Sequence, residues 1–204
     1  MYHFWDSFSE THRSTGDMSI VLIVFAVFIS NFGNCARVKE YFQEKAATCV
    51  VPYANKFVVQ FPTPTLNFTT SNNIIKLYGN FTVTEVIQEP LEMIVVSNRC
   101  TLDMKTCEQF NKRVLTDICH YINDGKGLWA QFFRRIEPEF NCPVEPGLYT
   151  FKNTALDLSF LTNLPLEGYR WQTTIKLNSR TKPKRELYCL LSLSTNRWVR
   201  KPSR

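Results

Sequence analysis

The chain has 204 residues, 44% hydrophobic and 14% aromatic, with 16 Phe and only 7 Gly. That length suits one ordinary domain, and the apolar content excludes a disordered or fibrous chain. The formal charge is +6; this surplus reads first as solvated surface, with Arg180, Lys182, Lys184 and Arg185 in a hairpin loop, and without a nucleic-acid motif anionic headgroups or lipid surfaces are better candidate partners than nucleic acid.

In chain order, the first informative segment is residues 18–29, which open with Met18 and run apolar from Ile20 to Ile29. A hydrocarbon core needs roughly 20 such residues, so the run is too short to span one. It has the length of an export-signal core. Gly33-Asn34-Cys35-Ala36 follows and offers a cleavage point at Cys35 or Ala36. The polar stretch 1–17 is unlike a normal signal start, which makes Met18 a candidate initiator. A signal anchor is the alternative. The expectation is an extension plus signal peptide over 1–36 and one secreted, extracellular domain over 37–204.

That domain carries 23 basic and 15 acidic residues and six cysteines: Cys49, Cys100, Cys107, Cys119, Cys142 and Cys189. An even number in an exported chain implies a disulfide framework, although six cysteines allow 15 pairings. None has zinc-site C-x-x-C spacing, so neither metal nor cofactor is expected. Asn67-Phe-Thr69 and Asn80-Phe-Thr82 are N-glycosylation sequons that fit the same compartment.

Residues 56–61 read as a strand bounded by prolines. Residues 74–84 read as a longer strand, with Leu77, Phe81 and Val83 on one face and Lys76, Tyr78, Asn80 and Thr82 on the other. A glycan on Asn80 needs solvent, so Leu77, Phe81 and Val83 should point inward. Residues 91–98 form a third strand. Phe110, Val114, Ile118 and Ile122 then recur at helical spacing, which predicts a helix over 106–123. Trp129, Phe132, Phe133 and Ile136 repeat the spacing over a short amphipathic segment, with Arg134 and Arg135 off the stripe. Strands resume at 148–152, 169–178 and 186–195, with a basic turn at 180–185 and a frayed basic tail over 197–204. In 169–178, Trp171, Ile175 and Leu177 share a face. The pattern predicts a mainly β fold, a two-sheet sandwich with helical loop insertions.

Catalytic chemistry is not evident. His120 is the single histidine of the 37–204 region, and it has no base or orienting partner in the sequence pattern. No G-x-S-x-G, H-E-x-x-H or phosphate loop occurs, and the carboxylates are scattered. The expectation is a non-enzyme.

Asn141-Cys142-Pro143-Val144-Glu145-Pro146-Gly147-Leu148-Tyr149 resembles the Cys-Pro-x-x-x-Gly-x-Tyr segment of the ganglioside activator proteins. These are lipid-binding cups of the ML lipid-recognition superfamily. Leu164-Pro165, Gly168-Tyr169-Arg170 and Cys189 resemble later passages of the same family, and the likeness covers about residues 49–195. The run from Tyr78 to Trp171 is also similar to the insect chemosensory branch, secreted proteins linked to contact-pheromone detection. The resemblance implies the pairs Cys49–Cys189, Cys100–Cys107 and Cys119–Cys142. It lacks the family's further bridge, which leaves the shape of the 124–140 loop open. It also implies an apolar cavity between two sheets. Inward candidates are Leu77, Phe81, Val83, Trp171, Ile175 and Leu177. Rim candidates are Leu128, Trp129, Phe132, Phe133, Leu158, Phe160 and Leu161. Expected partners are a lipid or other apolar small molecule, a transient membrane surface, and a receptor or hydrolase. The competing expectation is an extracellular interaction module or co-receptor subunit with a filled core.

Overall fold

A computed structural model describes residues 35–123, 132–181 and 183–202. The predicted export segment, Met18, Leu128 and Trp129 lie outside the described residues. The chain divides into two units, 1–37 with 200–204, and 38–199; the cores and cavities described below belong to the second, and only the outer ends of the first and last strands reach into the first.

The described strands are β1 (Cys35–Thr48), β2 (Val59–Gln60), β3 (Asn67–Ser71), β4 (Ile74–Tyr78), β5 (Asn80–Val83), β6 (Leu91–Cys100) and β7 (Cys107–Thr116). After the short helix α1 (Ile118–Asn123) come β8 (Ile136–Glu137), β9 (Gly147–Phe151), β10 (Thr154–Asp157), β11 (Arg170–Ser179) and β12 (Arg185–Pro202). Single 3-10 turns lie at Ala54–Lys56 and Ser159–Asn163. The strands form three antiparallel sheets among the described residues: β1-β12-β11-β6-β7, β10-β4-β3 and β2-β5-β9-β8. The fold is mainly β with little helix, and it carries the disulfides Cys49–Cys189, Cys100–Cys107 and Cys119–Cys142.

The expected strand over 74–84 is two strands. Gly79 has a φ of +100°, outside the range of ordinary L residues, and there the chain leaves the three-stranded sheet and enters the four-stranded one. The alternation survives the break. Phe81 and Val83 are buried and Leu77 half-buried, while Lys76, Tyr78, Asn80 and Thr82 are exposed. Asn67 is exposed as well.

Four sequence expectations need correction. The predicted helix over 106–123 is strand β7 followed by α1, with Asp117 at a φ of +58° between them. The Cys100–Cys107 bridge closes a hairpin there, and β7 pairs along its length with β6. Phe110 and Val114, spaced like one helix stripe, are both exposed on this edge strand. The predicted amphipathic stripe ends early, because Ile136 belongs to β8. The strand expected over 56–61 shortens to β2, since residues 54–56 form a 3-10 turn. The tail is no frayed end as far as Pro202, because β12 continues beside β1, a strand the sequence reading did not foresee. Arg197 caps the Phe42 ring at 4.5 Å, and Lys39 the Trp198 ring at 5.4 Å.

The main core joins the four-stranded sheet, α1 and the near end of the large sheet through Val58, Phe81, Val83, Ile87, Leu91, Ile118, Val144 and Leu187. A smaller cluster unites Tyr41, Ile75 and Leu158. One end is stitched by backbone bonds: Val58 N–H to Leu187 O at 3.0 Å, Cys49 N–H to Cys189 O at 2.9 Å, and a reciprocal Ile87–Val144 pair. Glu92 is buried there and accepts from Asn178 at 3.1 Å. Its pairing with Lys184 and then the Asn178 bond hold its carboxyl below the usual range.

A Cβ added at Gly79 would meet nothing within 4 Å, so Gly79→Ala isolates the backbone cost of a left-handed residue. The expected loss is about 1 kcal/mol, read from urea unfolding. An unchanged midpoint would remove Gly79 as the hinge between the sheets.

Candidate functional site: two adjoining cavities

The large sheet sets the geometry. β11 is bonded on both sides, so cross-strand partners align into rows. One row is Met93, Leu177 and Tyr188; the next is Val95, Ile175 and Leu190; the third is Ser97, Thr173 and Ser192; the fourth is Arg99, Trp171 and Ser194. Side chains two apart share a face. One face of this sheet therefore runs from apolar to polar along the strands.

Two cavities lie against that face. The first, about 370 Å³, is lined only by aliphatic, methionine and aromatic side chains. Met93, Leu177, Tyr188 and Leu190 come from the large sheet. Val59, Phe81, Ile136 and Phe151 come from the four-stranded sheet. Its walls include a ring cluster in which Phe81 lies 5.1 Å from Phe151 and 5.4 Å from Phe61 and Tyr149, and Phe133 stacks on Phe140 at 5.5 Å. Tyr121, 48% exposed, stands at its edge.

The second cavity, about 450 Å³, lies between the large sheet and the three-stranded sheet, which supplies Phe68, Ile75, Leu77 and Leu156. It shares Leu66, Leu77, Phe132, Ile175 and Leu190 with the first, so the two adjoin across a common apolar wall. Its lining also holds Gln43, Ser97, Asn111, Thr173, Ser192, Ser194 and Asn196. Gln43, on β1, donates to Ser192 Oγ at 2.8 Å and to the Leu193 carbonyl at 3.0 Å. Ser97 and Thr173 hydroxyls pair at 3.3 Å. Phe110, 57% exposed, and Leu164, 44% exposed, form its rim. Trp171 anchors that rim: its indole N–H donates to Leu166 O at 2.8 Å, and Phe110 meets it edge-on at 5.0 Å.

The residues expected at a ligand site distribute as follows. Leu77, Phe132 and Ile175 line both cavities. Phe81, Phe133 and Leu177 line the first, and Leu158, Leu161 and Trp171 the second. Val83 lines neither, because it is fully buried in packed core. Phe160 lines neither and is half exposed on its 3-10 turn. The sequence reading missed Tyr41 and Gln43 together with the strand that carries them. It also missed the inward polar set on β12, for which the alternation Leu190, Ser192, Ser194 and Asn196 was the available signal.

His120 is exposed on α1. No group of His, Cys, Asp and Glu able to hold a metal exists among the described residues, and no helix there is long and apolar enough to cross a membrane. No protein-family model matches the chain, and no curated protein matches it.

Burial pushes the Tyr188 hydroxyl up to about 12, against a smaller opposing pull from Thr48. An unfolded phenol titrates near pH 10. Between those values the unfolded chain gives up the proton first, so stability that is complete below pH 10 is lost as pH rises toward 12. Tyr188→Phe should therefore reduce the fall in urea stability across that window. Tyr41 and Tyr149, which burial also pushes up, would supply the remainder. An identical slope in the variant would contradict this assignment.

Proposed function

We propose that the protein is a secreted carrier or presenter of a lipid or other long apolar ligand, held in a cup between two β layers. On this reading the large sheet is one layer and the two smaller sheets together form the other. The observation that carries it is the almost entirely apolar 370 Å³ cavity adjoining a second of 450 Å³, both in the size range of small-molecule sites. Protein interiors are ordinarily close-packed, so a wall of aromatic rings around space is costly unless something fills it. The resemblance to ganglioside activator proteins and to insect chemosensory relatives points the same way. The ligand class then includes pheromones and cuticular hydrocarbons, and a receptor or hydrolase would receive the ligand. The exposed sequons Asn67 and Asn80 and the three disulfides fit an extracellular site of action. The reading needs no catalytic group.

The affinity scale is modest. About ten methylenes moved from water contribute roughly 8 kcal/mol, which makes micromolar binding the upper limit before ordering costs are subtracted.

A second reading, an interaction module or co-receptor subunit, is favoured by β7. This ten-residue edge strand is exposed along nearly its whole length and displays Phe110 and Val114. Binding to a membrane receptor that is indifferent to added lipid would support it.

Native purification, lipid extraction and mass spectrometry should recover a co-purifying apolar compound. Ile175 stands in the shared wall, so the larger side chain of Ile175→Trp should intrude on the space where the two cavities adjoin. The expected result is at least tenfold weaker retention of an apolar fluorescent probe with the melting temperature kept or raised. Probe binding unaffected by this substitution would refute the cup.

A further inference from the structure

Three hydroxyls stand side by side on the wall of the second cavity. Ser97, Thr173 and Ser192 are cross-strand partners on β6, β11 and β12, and all three are half-buried residues of its lining. A serine projects only a methylene and its hydroxyl from the sheet, so the hydroxyls are part of the surface that the cavity meets. The row holds more O–H donors than the protein uses. Gln43 Nε2 donates to Ser192 Oγ at 2.8 Å, and the same nitrogen faces the Leu193 carbonyl at 3.0 Å, which fixes the amide orientation. Ser192 accepts in that bond, and its own O–H has no acceptor among the described residues. Ser97 and Thr173 share a single contact at 3.3 Å. One of them donates in it, and the proton of the other stays free. Asn111 continues the row onto the exposed edge strand β7, where water can satisfy it.

Charge is missing from the same walls. Among the described residues no Lys, Arg, His, Asp or Glu lines either cavity. Arg99, one row farther along β6, is paired with Glu108 and lies over the Tyr169 ring at 4.7 Å. An ionised ligand group would lose its hydration here with no counter-charge to replace it.

We infer that the second cavity selects an uncharged amphiphile whose acceptor oxygen takes O–H bonds from the row Ser97, Thr173 and Ser192, with the hydrocarbon chain passing Ile175 and Leu190 into the first cavity. The inference rests on the carrier reading above and narrows its ligand class. Val95, Ile175 and Leu190 form the next row of the sheet, which places the oxygen roughly 7 Å from the wall that the cavities share. Long-chain ketones, aldehydes, esters and alcohols carry such an oxygen. Alkanes leave the donors unmet, and a fatty carboxylate brings a charge that the walls do not balance.

The test is displacement of N-phenylnaphthylamine from the full disulfide-bonded protein by methyl undecyl ketone and by its alkene analogue, in which a methylene replaces the carbonyl oxygen. The two differ in hydrophobicity, so the quantity read is the ratio of their affinities before and after the row is removed. In the variant carrying Ser97→Ala, Thr173→Val and Ser192→Ala, the ketone should lose about tenfold relative to the alkene. A ratio within about twofold of that of the unaltered protein would overturn the assignment to the row and leave the carrier reading standing. Dodecanoate at about pH 8, where it is ionised, should compete roughly tenfold or more below methyl dodecanoate. Parity would overturn the selection for an uncharged ligand. Failure of both ketone and alkene to displace the probe would overturn the carrier reading and this inference with it. If the variant does not fold, the carbonyl stretch of the ketone bound to the unaltered protein decides: a band below its position in hexane is expected, and a band at the hexane position would refute the hydrogen bond.

Discussion

Side-chain parity on β11 governs what the interior contains. This strand exchanges backbone hydrogen bonds with β6 on one side and β12 on the other, ten residues in register with each apart from one bulge. A slip of one residue would turn Trp171, Thr173, Ile175 and Leu177 away from the interior and bring Gln172, Thr174 and Lys176 in. The bulge falls between Leu177 and Asn178, where Leu187 is the extra residue of β12. Leu187 sinks into the core, and its carbonyl takes the Val58 N–H. The irregularity therefore ties the large sheet to the segment entering the four-stranded one, at the end where Cys49–Cys189 also joins the chain.

That tie bears on how a fold can keep a hollow. Space between layers forgoes dispersion contacts that a packed core would make. The loss has to be offset outside the hollow. The closed end offers buried Leu91, Ile87, Val144 and Phe57, a satisfied Glu92–Asn178 contact and a bridge across 140 residues of chain. In the chain-entropy model such a closure contributes about 5 kcal/mol by restricting the unfolded state. Stability is thus concentrated at one end of the cavities, and the rims at Phe110, Leu164 and Tyr121 are left exposed.

How much of this was legible in the sequence follows from how local each cause is. The faces of β5 and β11 were readable because an alternating strand with one buried side writes its pattern into consecutive residues. The sequon at Asn80 fixed the inward direction of its strand without any knowledge of the partner strands. β7 was misread because its placement is not local. Its apolar residues Phe110 and Val114 are both half-exposed, so alternation of burial is missing and the accidental spacing of four dominates. The clamp at Cys100–Cys107 and pairing with β6 override it. β1 was missed because the apolar run before it drew the reading toward a cleavage site, and a strand rich in Lys and Glu has no strong pattern of its own. Gly79 marked a break that the sequence reading passed over, since the alternation continues across it.

The polar row on β12 was passed over for a different reason: its alternation stands in the sequence, but Ser192, Ser194 and Asn196 are ordinary strand residues until neighbours place them. Ser192 stands opposite Thr173, which stands opposite Ser97, and Gln43 reaches Ser192 from β1. Four strands from distant parts of the chain compose one band. Its position matters more than its strength. Apolar burial has no preferred direction along a chain, so the almost entirely apolar cavity alone would hold a hydrocarbon in either sense and at any offset. A polar band beside only one of two adjoining cavities breaks that symmetry. On the carrier reading, affinity would come from the rings around Phe81 and Phe151, and orientation from the polar row. On the carrier reading, this division lets one protein hold chains of differing length and still present the same end at the rim between Phe110 and Leu164.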